Sequence, residues 1–550
     1  MRSRWRPVLL LAMWLAASCA TASAPPADDA VWTYQVARGD TLIAISHELL
    51  QPGIGWQRVQ RLNHVADPYR LLPGTTLRLP VAWLRTEATV AEVVYQVGQV
   101  RAERAGAPLA EPLTVGTQLR PGDSVLTGAP PSALTLRLVD GTRVLIEPDS
   151  KVTIVQLLLR GRSGVVDTRL KLDQGGTDSR VVPAGAGPQR FRIDTPAMNL
   201  GVRGTQFRVR SAGDAGSHVE VLEGSVAAGA GSAAEQRVDA GFGAVARGGQ
   251  AEQSPRRLLE PPALAASQPR IERFPLRLQW PPLDGATAYR AQVLMPDTVD
   301  QPVLDGRFEQ AAATWTEVAD GRYTLRVRGI DTDGLEGRDA TAPVVVKARP
   351  EPPFANEPQA DGTVYGERVL LRWARAPGAE RVRLQLGPSS ELEQPQLDRS
   401  DLKDTQLELE LPPGDYHWRL AAIAPGDDQG PWSDTLAFSV KPKPSPSSPQ
   451  LEPPAIGERG LVFRWRASAG ARYHYQVARD AAFADIVAQG PVLKPEAVIP
   501  DPKPGVYYLR VRTIDANGFE GPYGDAQQVE VPQRFNWWWL LLLVPLVLSL

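Results

Sequence analysis

Apolar and polar residues alternate along most of this chain, the period-2 signature of half-buried strands, and only one stretch near the N-terminus carries helical spacing. In the second half, Trp280, Trp373 and Trp465 each end an alternating strand pattern and recur roughly every 92 residues. A second marker keeps step: Gly321-Arg322-Tyr323-Thr324-Leu325-Arg326-Val327-Arg328, then Gly414-Asp415-Tyr416-His417-Trp418-Arg419-Leu420, then Gly505-Val506-Tyr507-Tyr508-Leu509-Arg510-Val511-Arg512. One early Trp and one late Tyr per unit predict three tandem β-sandwiches, over 270–348, 354–442 and 449–532. Asp331-Thr332-Asp333-Gly334 and Asp515-Ala516-Asn517-Gly518 follow the Tyr strands and resemble the opening of a calcium loop. Both lack the later bidentate Glu and fall where a hairpin must turn, so they read as turns.

Residues 91–250 are Gly-rich and nearly free of helix signals. Leu134, Leu136 and Leu138 face one way, Asp140-Gly141 turns, and Val144 and Ile146 return, which predicts a hairpin. Phe191 and Ile193 alternate with Arg190 and Arg192, and a second strand carries Arg208 and Arg210. These four arginines offer a basic face for anionic wall polymers, although solvated strand faces usually look the same. Residues 31–80 read strand, helix, helix, strand. Tyr34 and Val36 alternate with polar neighbours, a first helix runs through Ile45 and Leu49, a second carries Trp56, Val59 and Leu62 and stops near Asn63, and Pro73-Gly74 turns the chain into Leu77-Arg78-Leu79-Pro80.

At 550 residues the chain is too long for one core, and roughly three to five domains are expected. Proline-rich stretches at Ala24-Pro25-Pro26, Glu260-Pro261-Pro262, Arg349 to Pro353 and Lys441 to Pro454 act as semi-rigid spacers between them. A formal net charge of −2 excludes global attraction to nucleic acid, which needs clustered cations. Arg2, Arg4 and Arg6 precede an apolar run from Val8 to Ala17 and then small residues, the layout of a secretory signal peptide over 1–24. The single cysteine, Cys19, follows Leu15-Ala16-Ala17-Ser18, which reads either as a loose lipobox for lipidation or as a thiol discarded by cleavage after Ala22 or Ala24. At the other end, Trp537-Trp538-Trp539 opens an apolar run within a hydrophobic tail over 535–550, expected to associate with a membrane. About 14 helical residues reach only about 21 Å, short of a core of about 30 Å, so the run either dips into one leaflet, thins the bilayer or continues beyond the recorded chain.

The 31–80 pattern resembles the LysM domain, on Tyr34, Val36, Gly39, Asp40, Thr41, Leu42, Ile45, Asn63, Asp67-Pro68-Tyr69, Leu71, Pro73-Gly74 and Leu77. Gln51-Pro52-Gly53-Ile54-Gly55 between the helices is a departure that alters their turn without touching the groove. The resemblance implies binding of N-acetylglucosamine-containing glycan, with Gly39, Asp40, Thr41 and Leu42 on one wall and Asp67, Pro68, Tyr69 and Leu71 on the other. Each also has a plain structural reading as turn, cap or core. One shallow site implies weak affinity, so firm attachment would need a second anchor.

Residues 91–250 resemble the periplasmic FecR domain, through the Asp140-Gly141 hairpin, Thr195-Pro196-Ala197, Arg203-Gly204-Thr205 and Glu223-Gly224-Ser225-Val226, in that order. The best-known members of that family relay a signal to a sigma factor through a cytoplasmic N-terminal segment. This chain opens on a signal peptide instead, so that role is not carried over. The three C-terminal repeats resemble fibronectin type III domains, which implies spacing and protein contact.

His47, His64, His218, His417 and His474 are scattered without metal-ligand spacing, and no nucleophile elbow, phosphate loop or dinucleotide fingerprint is present. The expectation is a mainly β, multidomain, non-enzymatic protein of the periplasm or cell envelope, membrane-associated, with no cofactor and no metal. Its expected partners are peptidoglycan, a membrane through the tail or lipid, and an envelope protein. The rival expectation is an envelope sensor acting through the FecR-like domain.

Overall fold

The computed structural model describes residues 31–533 apart from 108, 162, 164, 184–189, 203, 231–234, 249, 252–253, 266–269, 444–454, 467–471, 515–517 and 519. The stretches expected as signal peptide (1–24) and hydrophobic tail (535–550), with Cys19, Arg203 and Asp515-Ala516-Asn517, lie outside the described residues. No helix among the described residues is long and apolar enough to cross a membrane. The chain divides into two compact units, 1–348 and 349–550.

The first unit opens with the expected order: β1 (Val31–Gln35), α1 (Leu42–Leu49), α2 (Trp56–Asn63) and β2 (Thr76–Pro80). β1 and β2 pair antiparallel, with Tyr34 opposite Leu77. Leu42, Ile45 and Leu49 of α1 and Val59 of α2 close over Leu77 and Leu79, which explains the helical spacing in the sequence. Leu62 instead faces outward, 39% exposed, so the buried stripe of α2 is narrower than its apolar residues suggest.

The module's core also includes Val165, from the β-structure that follows. That structure is closed edge to edge by strands between Thr86–Ala88 and Arg256–Arg257. Its longest strand, Val165–Arg180, serves two sheets. The first part pairs antiparallel with Lys151–Arg160 and parallel with Arg190–Asp194, and the last part pairs with Arg143–Ile146 and Gln206–Ser211. The change of sheet falls at Gly175, where φ is +86° and an added Cβ would stand 2.4 Å from the Ser150 Cα. Only glycine fits there. The predicted hairpin is present, with Leu136 opposite Val144 and Leu134 opposite Ile146.

Each C-terminal repeat is a pair of sheets, antiparallel except where Gly362–Tyr365 pairs parallel with Leu436–Lys441 in the second. In the first, Leu276–Gln279 and Ala312–Trp315 face a four-stranded sheet centred on Ala288–Leu294 and Gly321–Ile330. The second unit holds two more: sheets of three and six strands, then sheets of three and four. Trp280, Trp373 and Trp465 are buried, one in each core. The repeating tyrosines also share one geometry. Tyr323, Tyr416 and Tyr507 each donate a hydroxyl hydrogen bond to the carbonyl four residues upstream, on Ala319, Pro412 and Lys503, at 2.9, 2.9 and 3.0 Å. This is the corner that pins a sandwich strand to its preceding loop. The Asp331 turn is a turn in fact: its Oδ1 accepts the Asp333 and Leu335 amides, both at 2.9 Å, and Gly334 has φ +87°.

Candidate functional site

In the N-terminal module backbone bonds join the segments that flank the two predicted walls. The Val36 amide donates to the Thr75 carbonyl at 2.9 Å, and the Gly74 amide donates to the Val36 carbonyl at 2.8 Å. The 65–75 loop therefore runs beside the turn that leads into α1. Within that turn Gly39 takes φ +93°. Asp40 Oδ2 accepts the Tyr34 hydroxyl and the Ala37 amide, both at 2.7 Å. Thr41 caps α1, its Oγ1 accepting the Ala44 amide at 3.1 Å. Leu42 is fully buried, so its side chain belongs to the core and only its backbone borders the surface.

On the other wall Asp67 Oδ1 accepts the Tyr69 amide at 2.9 Å, an Asx turn that projects Tyr69 outward. Tyr69 is 69% exposed, Pro68 is half-buried, and Leu71 packs against the module core. Leu72, three residues after Tyr69 and not among the residues the resemblance implied, is 76% exposed. The local signal for it was the turn at Pro73-Gly74, since a residue just before a tight turn on the surface has no core to enter. Asn63 is structural: its side chain donates to the Val59 and Arg78 carbonyls and accepts the Arg78 amide, tying α2 to β2. The arrangement offers exposed apolar and aromatic surface beside peptide and carboxylate hydrogen-bonding groups, the pairing that N-acetylated sugars require.

The second polar constellation was not foreseen. Arg208 and Arg210 do not share a face with Arg190 and Arg192, because Gln206–Ser211 and Arg190–Asp194 pair with opposite ends of the bent strand. Arg192 is exposed, and the side chain of Arg190 lies outside the described set. Arg208 is buried, and Arg210 is one-third exposed. Both enter an ionic network shared with the first sandwich. Arg210 reaches Glu336 at 3.1 Å, and Arg208 donates to the Gly337 carbonyl at 3.0 Å. Arg290 forks onto Asp305 at 2.9 and 2.7 Å and reaches Glu147 at 2.9 Å. Arg326 meets Asp178 at 3.3 Å, and Arg328 pairs with Glu336 and, at 3.3 Å, with Asp339.

Five arginines, Arg208, Arg210, Arg290, Arg326 and Arg328, thus face six carboxyl groups, those of Glu147, Asp178, Glu220, Asp305, Glu336 and Asp339. Burial, with the Glu336 carboxylate alongside, pushes the Glu220 pKa up to about 8, and burial likewise raises Asp178 against the pull of Arg326 and Arg208. Burial also acts upward on Glu336, but Arg328, Arg290 and Arg210 outweigh it and hold that carboxyl well below the usual range. Asp339 follows the same logic, with burial overcome by Arg208, Arg326 and Arg328 and a pKa of about 2.

The sequence motifs of the closed β-structure are structural too. Gly224, at φ +78°, lies where an added Cβ would stand 2.4 Å from the Thr205 Cγ2, so the Arg-Gly-Thr and Glu-Gly segments pack directly on each other. Among the described residues, no group of three or more His, Cys, Asp or Glu side chains is placed to hold a metal ion.

Comparison with known proteins gives two family matches: the LysM domain over residues 34–80 and the FecR protein family over residues 123–227. No curated relative matches the chain. Among solved structures, the fibronectin domains FN1–FN3 of chicken CNTN1 align at 15% identity and TM-score 0.24, over 50% of this chain and 99% of that one. Two structures described as a "putative anti-sigma factor" from Parabacteroides distasonis align at 15% and 16% identity, with TM-scores of 0.20 and 0.21. Each alignment covers 24% of this chain, and this chain spans 58% and 59% of theirs.

Proposed function

We propose, from the premise that the chain carries a LysM domain and a FecR domain, that it is a non-enzymatic cell-envelope protein that binds peptidoglycan. The LysM module supplies the grip on N-acetylglucosamine-containing glycan, through the backbone and side chains of Gly39, Asp40 and Thr41, the Leu42 backbone, and Asp67, Pro68, Tyr69 and Leu71. The closed β-structure and sandwiches act as the platform for an envelope protein partner. The observation that carries this reading is the family match over 34–80, on a module in which backbone bonds tie Val36 to Gly74 and Thr75 and Tyr69 faces solvent.

The test is co-sedimentation of the full chain with purified peptidoglycan, since Val165 completes the module's core. Tyr69→Ala is expected to lower the bound fraction severalfold without a change in melting temperature, because the side chain is exposed. Asp40→Ala also removes two hydrogen bonds that shape the turn, so Tyr69 is the cleaner probe. Failure of the unmodified chain to sediment ends the proposal. The FecR match over 123–227 favours a second reading, an envelope sensor. It requires a partner whose binding depends on the closed β-structure and changes with a stimulus.

A further inference from the structure

Where the first sandwich meets the closed β-structure, a cleft of about 260 Å³ opens, lined on one side by Arg143, Asp178, Arg180 and Gln206 and on the other by residues 297–301. Both sides belong to the same compact unit. The loop side is held in place before any ligand arrives. Arg143 forks onto the Asp300 carboxylate, Thr135 donates to the Asp300 carbonyl, Arg326 donates to the Val299 carbonyl at 2.9 Å, and Tyr95 donates to the Pro302 carbonyl at 2.8 Å. The Met295 amide closes the loop on the Gln301 carbonyl at 3.0 Å. A cleft with fixed walls loses little entropy on binding.

The charges that line it sort into committed and free. Arg143 is committed to Asp300, and Asp178, buried at the edge of the ionic network, faces Arg326. Two exposed groups remain. Arg180 has Gln206 as its hydrogen-bond partner among the described residues, at 3.0 Å, and carries no carboxylate there. Asp297 sits at the loop apex with φ +58° and no ion pair among the described residues. One free cation and one free anion in one cleft match a ligand that carries both signs. Three carboxylates against two guanidinium groups disfavour a polyanion such as phosphate, and a volume below the roughly 300–1,000 Å³ of drug-sized pockets limits the ligand to a small molecule.

We propose that this cleft binds a small zwitterion of the amino-acid or short-peptide class, its carboxylate on Arg180 and its ammonium on Asp297. Arg180 supplies a planar fork suited to a carboxylate, and the Asp297 carboxylate accepts from an ammonium. This site is independent of the glycan groove.

Isothermal titration calorimetry of the full chain tests it, with alanine, alanylalanine, acetate and ethylamine as probes. Alanine or alanylalanine is expected to bind, at least about tenfold more tightly than acetate or ethylamine. Preference between the first two distinguishes a free amino acid from a peptide as the source. Arg180→Gln and Asp297→Asn are each expected to weaken binding about tenfold or more, with melting temperature and peptidoglycan sedimentation unchanged. Arg137→Gln, which breaks an exposed pair with Glu92 and does not line the cleft, is expected to leave binding intact. Absence of heat with alanine and alanylalanine at millimolar concentration overturns the proposal. So does acetate binding as tightly as alanine, or affinity unmoved by Asp297→Asn, since either describes a simple anion site.

Discussion

At the scale of single residues, the informative positions are those where side-chain chemistry and backbone geometry coincide. The Tyr323, Tyr416 and Tyr507 hydroxyls each donate to a carbonyl four residues back, Tyr507 also accepting from Arg479 at 3.5 Å, while their rings fill the sandwich cores. Replacement by Phe keeps the ring and removes the bond, so each variant is expected to lose about 1 kcal/mol in denaturant unfolding of its own unit. Gly175→Ala meets both positive φ and the Ser150 backbone. Its expected effect is larger, about 2–4 kcal/mol, because neither a rotamer change nor a flexible neighbour relieves the contact. The site residues divide in the same way. Tyr69 is free to meet a ligand, Asp40 and Thr41 are already engaged in shaping the turn, and Leu42 is core.

At the scale of elements, the three sandwiches repeat one polar pair across their central strands. Gln292 accepts from Arg326, Gln385 from Arg419 and Gln476 from Arg510, each through the Arg Nε and Nη2. What covers the pair differs. In the first sandwich it is the ionic network shared with the closed β-structure; in the second Trp432 lies 4.6 Å from Arg419, and in the third Phe483 and Tyr523 lie 4.1 and 4.4 Å from Arg510. Truncation should therefore act unequally. Arg328→Ala, which strands buried carboxylates, is expected to destabilise the first unit by about 3–5 kcal/mol. Arg383→Ala, whose pair with Asp398 is about one-third exposed, should stay within about 1 kcal/mol in the second. Chemical denaturation of each variant decides both. The network also sets a pH dependence. Glu220 has a pKa near 8, above its usual 4.5, so its stabilising contribution is full at acid pH and is lost as pH rises through about 8. Asp339, near 2 and below its usual 3.8, contributes above about pH 4 and loses its effect as pH falls through about 2. Melting temperature against pH should fall on both sides, and Glu220→Gln, which stays neutral, should flatten only the alkaline limb.

At the scale of the whole molecule, the LysM module, the closed β-structure and the first sandwich form one compact unit, and the last two sandwiches form another. A chain ending at Ala348 is expected to melt in one transition, whereas a chain ending at Pro262 strips Glu147 of Arg290, Asp178 of Arg326 and Arg208 of Asp339, and is expected to aggregate. Calorimetry and size-exclusion chromatography separate these outcomes. The sequence by itself determined the elements and their local order. Period-2 alternation, the helical spacing of Leu42, Ile45 and Leu49, the Asp140-Gly141 turn and the recurring Trp and Tyr all act through near neighbours, so they are written in short windows. Asp67, Pro68 and Tyr69 entered only through the resemblance to the LysM domain, and their turn is a finding of the structure. What only the tertiary structure decided is which residues at large separation meet. Glu147 finds Arg290, Arg208 finds Asp339, and Asp178 finds Arg326, across 143, 131 and 148 positions. Alternating arginines on a strand look alike in sequence whether water or a second domain covers them. Burial, which turns such charges from solvated groups into a paired network, is a property of the packed interface rather than of the strand.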